Sequence, residues 1–261
     1  MQRMLCACVA WMIVSAVQAQ STTTPVFCPS PDALLVIPPI DRQLPMTREV
    51  QKPHARFIPL IEGIDVSHYQ GAINWQMVAI DEHVKYVYIK ATESVGLVDT
   101  HFQNNVLRAR ENGLPVGVYH FYSPTASPAI QFTNFSQNVG GLELDLIPIV
   151  DVEKRGRGSL ALFQKNLKTF LYQVERMYGV KPIIYTGVNF YNKFLAGRFT
   201  EYKFMIARYG NEVPTLSDRV CIVMWQFTDR GYVNGIRGHV DRSCMLNKYS
   251  LKDIFLPGKN K

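Results

Sequence analysis

Two carboxylates separated by one residue form the most informative pattern in the sequence. Asp151 and Glu153 end the apolar run 146–150, which predicts a buried strand. Residues i and i+2 of a strand point to the same face, so the two carboxylates would lie side by side, with Cα atoms roughly 7 Å apart. One of two such acids keeps its proton to higher pH, and a protonated acid beside an ionised one suits glycosidic bond cleavage. The alternative is two acids that merely end a strand at a solvated loop.

Two further acids stand at the ends of predicted strands. Asp65 lies near the end of the run 62–67, and Asp241 ends the run 236–241. In a closed barrel the first and last strands are neighbours, so these two acids would be neighbours as well. Active sites of α/β barrels are built at the C-terminal ends of the strands. The shared position of the four acids therefore favours a catalytic site over a solvated loop.

Other polar and aromatic residues also stand at strand ends and are candidates for substrate binding. Aromatic rings cover the apolar faces of sugars, and polar groups fix the orientation of the sugar. Core packing is the alternative for the aromatic residues, and a hydrogen-bonded core position is the alternative for the histidine. The candidates are Lys90, Glu93, Tyr119, His120, Tyr185, Trp225 and Gln226.

The elements that would position these residues alternate along the chain. Helical patterns follow each of the first five strand-like runs, at 74–83, 101–112, 126–139, 160–178 and 188–195, whereas the later connections hold no good helix. This order predicts an α/β fold with a parallel sheet, and eight strands suffice to close a barrel. An open, doubly wound sheet is the alternative. The strand-like runs are 62–67, 85–91, 115–121, 146–153, 181–186, 202–207, 220–227 and 236–241.

The N-terminal sequence divides into two parts ahead of the barrel. Residues 1–19 have a positive start, an apolar stretch and small residues near the end, as in a secretory signal peptide; a short membrane anchor is the alternative. Residues 20–60 are proline-rich and predict an extension or linker. We expect the barrel to occupy 61–261 and the protein to be exported, to the periplasm or beyond the cell, without stable membrane insertion after signal cleavage.

Cysteine usage and charge narrow the functional classes. Cys221 and Cys244 either form a disulfide, which export would permit, or remain buried thiols. The net charge of +7 favours anionic partners. No nucleic-acid motif, zinc spacing or nucleotide-binding loop is present, so nucleic acid, metal and cofactor are not expected. An anionic cell envelope is the expected partner, and a charge that serves only solubility is the alternative.

Motifs that occur in a fixed order between about 61 and 245 resemble glycoside hydrolase family 25, the Chalaropsis-type lysozymes. The ordered set is far more specific than any one of its members. The motifs are 63–71 (GIDVSHYQG), 73–75 (INW), 89–93 (IKATE), 117–121 (GVYHF), 148–153 (PIVDVE), 182–186 (PIIYT), 225–228 (WQFT), 235–236 (GI) and 240–241 (VD).

The resemblance implies a single (β/α)5β3 barrel that cleaves the β-1,4 bond between N-acetylmuramic acid and N-acetylglucosamine in peptidoglycan glycan strands. It implies Glu153 as general acid and Asp151 as the group that orients the substrate's 2-acetamido group or stabilises the cation. Asp65 and Asp241 would complete the acidic floor. Acetamido participation then replaces an enzyme nucleophile, unlike the usual scheme of two catalytic carboxylates. We expect a monomer without cofactors.

The sequence departs from the family pattern outside the four acids. Ser94 replaces a common glycine, Met205 replaces a frequent tryptophan, and Arg242-Ser243 replaces Leu-Asn. These departures bear on the sugar subsites and on the preferred wall chemistry. Two other functions stay open: a non-catalytic wall-binding barrel, and a hydrolase of another acetamido-sugar polymer such as chitin. Loss of an acid would favour the first of these, yet all four acids are present.

Overall fold

A closed barrel surrounded by helices occupies residues 61–218, 220–246 and 248–259, which are the residues that the computed structural model describes. The predicted signal segment 1–19 and the proline-rich segment 20–60 lie outside them. The strands are β1 Glu62–Val66, β2 Val84–Glu93, β3 Leu97–Val98, β4 Val116–Phe121, β5 Ile149–Asp151, β6 Ile183–Gly187, β7 Lys203–Ala207, β8 Cys221–Gly231 and β9 Val240–Met245.

Each of the first five barrel strands is followed by a helix, as the alternating sequence pattern predicts. The last of these helices continues as a π-helical turn, Tyr191–Leu195. Short 3-10 turns lie at His68–Gln70 and Leu251–Asp253. The α-helices are α1 Trp75–Ala79, α2 Phe102–Glu111, α3 Pro128–Val139, α4 Leu160–Tyr178 and α5 Val188–Phe190.

Pairing between β1 and β2 closes the sheet, whose order is β1-β9-β8-β7-β6-β5-β4-β2. The pairs from β1–β2 round to β7–β8 are parallel. The short strand β3 folds back on the end of β2 as an antiparallel hairpin that the sequence pattern does not predict. The closed (β/α)5β3 barrel is therefore confirmed, and the open-sheet alternative is wrong.

The last strand corrects the prediction of an all-parallel sheet. It spans Val240–Met245 rather than 236–241, and it runs antiparallel to both β8 and β1. Only residues 232–239 connect it to β8, and this is too short for the crossover that a parallel strand needs. Asp241 therefore lies at the beginning of its strand, not at the end. Because the strand is reversed, its beginning lies at the same rim as the C-terminal ends of the parallel strands.

Glycines on the inner face of the barrel make room for large aromatic rings. A Cβ atom on Gly63 would lie 2.3 Å from the ring of Tyr86, and one on Gly117 would lie 2.3 Å from the ring of Tyr88. Both rings are fully buried. Pairing a missing side chain with a large one fills the interior at normal packing density. This packing puts Tyr88 directly beneath the rim where the four acids lie.

The helix after β5 shows how sequence and packing agree. Ser159 caps the N-terminus of α4 by accepting a hydrogen bond from the backbone N–H of Leu162, and Gly179 ends the helix with a φ of 69°. Its apolar residues recur at helical spacing and are buried against the barrel. This packing fixes the position of the loop between β5 and α4. Glu153 is the second residue of that loop.

Cys221 and Cys244 are buried and do not form a disulfide with each other. They stand on adjacent strands, but Cys244 pairs in register with Trp225, four residues along β8 from Cys221. Four residues of strand correspond to roughly 13 Å, beyond the reach of a disulfide. The predicted pairing of Cys221 with Cys244 is therefore wrong. No helix in the described part of the chain is long and apolar enough to cross a membrane.

Candidate active site

A cavity of about 160 Å³ opens at the rim formed by the C-terminal ends of the parallel strands. Its walls are acids and tyrosines, with two apolar residues. This composition suits a ligand that carries both apolar faces and hydrogen-bonding groups. The lining residues are Asp65, Tyr88, Tyr119, Ile149, Asp151, Glu153, Tyr185, Met205, Tyr209 and Asp241.

Three separate elements bring the four acids to this cavity. Asp65 on β1 and Asp241 on β9 are direct partners in the antiparallel register. Asp151 ends β5, and Glu153 lies two residues farther along. The backbone N–H of the intervening Val152 donates to Tyr185 O, so the strand geometry continues past Asp151, the last residue of β5. Glu153 therefore points inward, as Asp151 does. The four acids therefore cluster at this cavity, as the sequence predicts.

Asp65 and Asp241 form a pair of neighbouring carboxyls in the cavity. Desolvation inside the cavity and the neighbouring Asp241 raise the pKa of Asp65 well above its ordinary value. Desolvation also raises the pKa of Asp241, to about 6. Two neighbouring carboxyls resist ionising together. The pair thus provides a floor with fewer negative charges than its two acids suggest.

Asp151 and Glu153 differ in burial although they share a wall. The residue Asp151 is 8% exposed, and its Oδ1 atom has no hydrogen-bond partner. Burial, followed by the charges of Glu153 and Asp65, raises the pKa of Asp151 well above its usual range. Glu153 is exposed at the mouth, where desolvation raises its pKa and the charge of Lys154 opposes that rise. The arrangement offers one buried acceptor and one accessible acid.

Gln226 organises the opposite wall, directly behind Asp65. Its side-chain Nε2 donates to both carboxylate oxygens of Asp65, at 3.1 and 3.2 Å. Its Oε1 accepts hydrogen bonds from the hydroxyls of Tyr185, at 2.9 Å, and Tyr209, at 3.2 Å. Because every polar atom of this amide has a partner, the two tyrosine rings and Asp65 are held in fixed positions around the cavity.

Lys90 and Glu93 lie beside the central cavity rather than in it. Lys90 Nζ and Glu93 Oε2 form an ion pair at 2.6 Å. The two residues border a neighbouring depression of about 140 Å³, together with His68 and Asp99. His68 Nδ1 lies 2.6 Å from the buried carboxylate of Asp99, which orients the imidazole at the rim. These residues are placed to contact a ligand longer than the central cavity.

Two of the predicted substrate-binding residues, His120 and Trp225, line neither the central cavity nor the depression beside it. His120 is fully buried on the outer face of the barrel, stacked on Phe170 and hydrogen-bonded to Thr92 and Gln131. Burial lowers the pKa of His120 to about 4, so this core histidine stays neutral. Trp225 is 8% exposed and donates its indole N–H to Arg208 O outside the cavity. The assignment of both residues to substrate binding is corrected.

Strand alternation explains these two corrections. Tyr119 and Gln226 face the barrel interior, so their neighbours His120 and Trp225 must point outward. The same rule could have identified the lining residues that the prediction omits. Tyr88 shares a face with Lys90, and Ile149 shares a face with Asp151. Met205, in the middle of β7, and Tyr209, beyond the end of β7, also line the cavity. In the described part of the chain, no group of His, Cys, Asp and Glu is placed to hold a metal ion.

The sequence and the fold of this chain match those of a known protein family. The model of the glycosyl hydrolases family 25 matches residues 64–236. The Escherichia coli K12 protein named "Uncharacterized protein YegX" is 42% identical over 185 residues, which cover 69% of this chain and 68% of that protein. Lysozyme M1 of Streptomyces globisporus is 32% identical over 197 residues, covering 70% and 67%. The crystal structure of the bacterial lysozyme from Streptomyces coelicolor is 31% identical with a TM-score of 0.65, covering 72% of this chain and 92% of that one.

Proposed function

The chain belongs to glycosyl hydrolase family 25 and is a glycoside hydrolase of the lysozyme type, and we propose that it hydrolyses the glycan strands of peptidoglycan at the β-1,4 bond between N-acetylmuramic acid and N-acetylglucosamine. The observation that carries this proposal is the pairing of an accessible acid, Glu153, with the buried, unpartnered carboxylate oxygen of Asp151 in one cavity.

Glu153 is the proposed general acid. It stands at the mouth of the cavity, where the bridging oxygen of a bound glycan would lie. Asp151 is buried deeper in the same wall. The raised pKa of Glu153 keeps a proton available at mildly acidic pH. Donation of that proton to the glycosidic oxygen lets the C–O bond break and the leaving sugar depart as an alcohol. Water then completes hydrolysis and restores the proton to the carboxyl.

Asp151 is the proposed partner of the substrate's 2-acetamido group. The carboxylate of Asp151, whose Oδ1 atom has no partner in the protein, would accept a hydrogen bond from the N–H of that group. The free protein favours a protonated Asp151 because of burial and its acidic neighbours. When substrate binds, Asp151 releases its proton to solvent, because the hydrogen bond from the substrate N–H stabilises the ionised form. In that state the acetamido oxygen, rather than an enzyme carboxylate, attacks the anomeric carbon as the leaving group departs.

The remaining residues hold the sugar and limit the negative charge in the cavity. Asp65 and Asp241 resist ionising together, and Gln226 orients Asp65 and two tyrosines. The rings of Tyr119 and Tyr185 line the wall against which an apolar sugar face would pack. Lys90 and Glu93 would meet the ligand beyond the central cavity, next to His68.

The proposed organisation of the whole chain adds two N-terminal segments to the barrel. Residues 1–19 would direct export, residues 20–60 would form an extension, and 61–261 would form the catalytic barrel. Export would bring the enzyme to its polymeric substrate, in the periplasm or outside the cell. A single copy of the chain suffices for catalysis, because all the proposed catalytic residues come from one barrel.

Analysis of reaction products tests this function. Purified peptidoglycan is digested, the new reducing ends are reduced with borohydride, and the fragments are identified by mass spectrometry. The proposal predicts reduced N-acetylmuramic acid at every new end and no cleavage of chitin oligosaccharides under the same conditions. Reduced N-acetylglucosamine ends would assign a different bond, and rapid chitin cleavage would favour the broader acetamido-sugar hydrolase. Wall binding without any released fragment would favour the non-catalytic barrel.

A further inference from the structure

A run of cations follows the proposed general acid directly. Lys154, Arg155 and Arg157 lie in the loop 154–158, here named the cationic loop. Among the described residues, no Asp or Glu oxygen lies within 4.0 Å of the side-chain nitrogens of these three residues. Other cations at the same rim are paired, since Lys90 meets Glu93 and Arg208 meets Glu212. The cationic loop therefore carries uncompensated positive charge beside the site.

Local contacts hold this loop in one conformation. Gly156 has a φ of 72°, in the left-handed region that favours glycine, and a Cβ atom there would lie only 3.2 Å from Pro124 and 3.3 Å from Thr125 of the neighbouring loop. The Arg155 guanidinium donates to Gly158 O, and the Lys154 ammonium lies 4.9 Å from the centre of the Phe121 ring. Cation–ring contacts of this kind leave the charge itself unneutralised. The charges are thus presented at fixed places on the rim.

A second, larger depression begins at Glu153, the residue that directly precedes the cationic loop. It has a volume of about 620 Å³ and is here named the side depression; its lining residues are Glu153, Gly187, Val188, Asn189, Phe190, Ala207 and Arg208. The Arg155 guanidinium lies over the ring of Phe194, which packs edge-on against Phe190 at 4.8 Å. Arg155 is therefore connected to the wall of the side depression through Phe194 and Phe190, and Arg208 is part of that wall. The depression is larger than the central cavity, so it can hold a bulkier group.

The chemistry of the proposed substrate supplies a matching anion. The sugar backbone of a peptidoglycan strand is neutral where the muramyl lactyl group is linked to a peptide, and the negative charges are carboxylates of that peptide. Neighbouring like charges repel each other, and an anionic ligand removes that cost while gaining charge-assisted hydrogen bonds from arginine. Resting on the proposed function, we infer that the cationic loop and the side depression bind the peptide carboxylates of the muramyl unit being cleaved.

Neutralising the substrate carboxylates tests this inference. Glycan strands with intact peptides are compared with strands whose carboxyls have been converted to methylamides, so that peptide bulk is conserved. At low, fixed ionic strength the wild-type kcat/KM should be roughly three- to tenfold higher on the intact strands, as expected for a few partly exposed ion pairs. The Arg155→Gln/Arg157→Gln variant should lower this ratio to near one, mainly through KM. Lys154 is left unchanged because it acts on the pKa of Glu153.

Two further variants separate charge at this place from other effects. Arg155→Lys/Arg157→Lys keeps both charges and should retain most of the preference. Arg176→Gln/Arg198→Gln removes two exposed cations near the opposite end of the barrel, at the end of α4 and ahead of β7, and should retain the full preference. An unchanged ratio in the loop glutamine variant, or an equal loss in the distant one, overturns the inference. Failure of the wild type to cleave either strand overturns the proposed function instead.

Discussion

Asp151 combines two properties that oppose stability in the folded protein. It is buried next to other acids, and one of its carboxylate oxygens has no hydrogen-bond partner. A buried acceptor without a donor costs free energy, and a buried charge costs more. Functional sites often keep such unfavourable groups because the ligand supplies the missing partner. At the scale of one residue, activity and stability should therefore respond to substitution in opposite directions.

The substitution Asp151→Asn tests this opposition. The rate of peptidoglycan cleavage should fall by about 10²-fold or more, because the amide cannot stabilise the acetamido group as a carboxylate does. Wall binding in a cosedimentation assay should be largely retained. At pH 7 the Tm should rise by about 2–4 °C, which corresponds to about 1 kcal/mol for a domain of this size.

The pH dependence of that Tm gain follows from the sign of the pKa shift. The pKa of Asp151 is raised in the folded state, so the carboxyl lowers stability once the pH passes its unfolded value of about 3.9, and the penalty is complete above the folded value. The gain in Asp151→Asn should therefore be largest at neutral pH and vanish below about pH 4. A gain that persists in acid, or unaltered turnover, would contradict the role given to Asp151.

At the scale of elements, the sequence predicts the barrel well because strand and helix patterns alternate strongly. The sequence pattern predicts less well where a strand is short, or where the direction of a strand depends on the length of the loop before it. The hairpin strand β3 has only two residues, and the reversal of β9 is set by the length of the loop 232–239. Three of the four acids were predictable because they lie at or just beyond the C-terminal end of a parallel strand, whereas Asp241 reaches the same rim only because β9 is reversed. His120 and Trp225 were misplaced because strand-end position was used without the inward or outward direction of each side chain.

Substitution of an interior glycine tests whether packing inside the barrel determines the stability of the protein and the activity of the site. Gly117→Ala would drive a Cβ atom into the ring of Tyr88, which lines the cavity. Overpacking of this kind costs about 1–3 kcal/mol, so we expect Tm to fall by several degrees and the rate of cleavage to fall with it. Differential scanning calorimetry and a cleavage assay on the same preparation provide the two readouts.

Gly141→Ala is the matched control, because no atom lies within 4 Å of its new Cβ and its φ is ordinary. It should leave the rate unchanged and shift Tm by less than about 2 °C. If Gly117→Ala is as stable and active as this control, Tyr88 does not need the space that the glycine leaves.

At the scale of the whole molecule, the charge of +7 and the acidic cavity act at different ranges. The positive charge should draw the protein to anionic cell walls before any specific contact forms. Attraction between exposed charges is screened over a Debye length of about 10 Å at 0.1 M salt. The catalytic step takes place in the cavity, where screening by salt is weak. Raising the salt concentration should therefore weaken attraction to the cell wall more than it slows the catalytic step.

A comparison of two substrates tests this separation. Raising the salt concentration from about 0.02 to 0.2 M should slow cleavage of whole walls severalfold, because the Debye length falls from roughly 20 to 7 Å. Cleavage of a soluble, uncharged oligosaccharide should change by less than about twofold over the same range. Equal salt sensitivity on both substrates would show that surface charge has no part in recruitment.

The central claim is that one proton, held by Glu153, breaks the glycosidic bond. The most direct measurement is kcat on purified peptidoglycan for Glu153→Gln, an isosteric change that removes only the transferable proton, with Tm as the check on folding. The account predicts a folded variant whose kcat is lower by about 10²–10⁴-fold, the usual contribution of a general acid. A folded Glu153→Gln protein with near-normal kcat would contradict it.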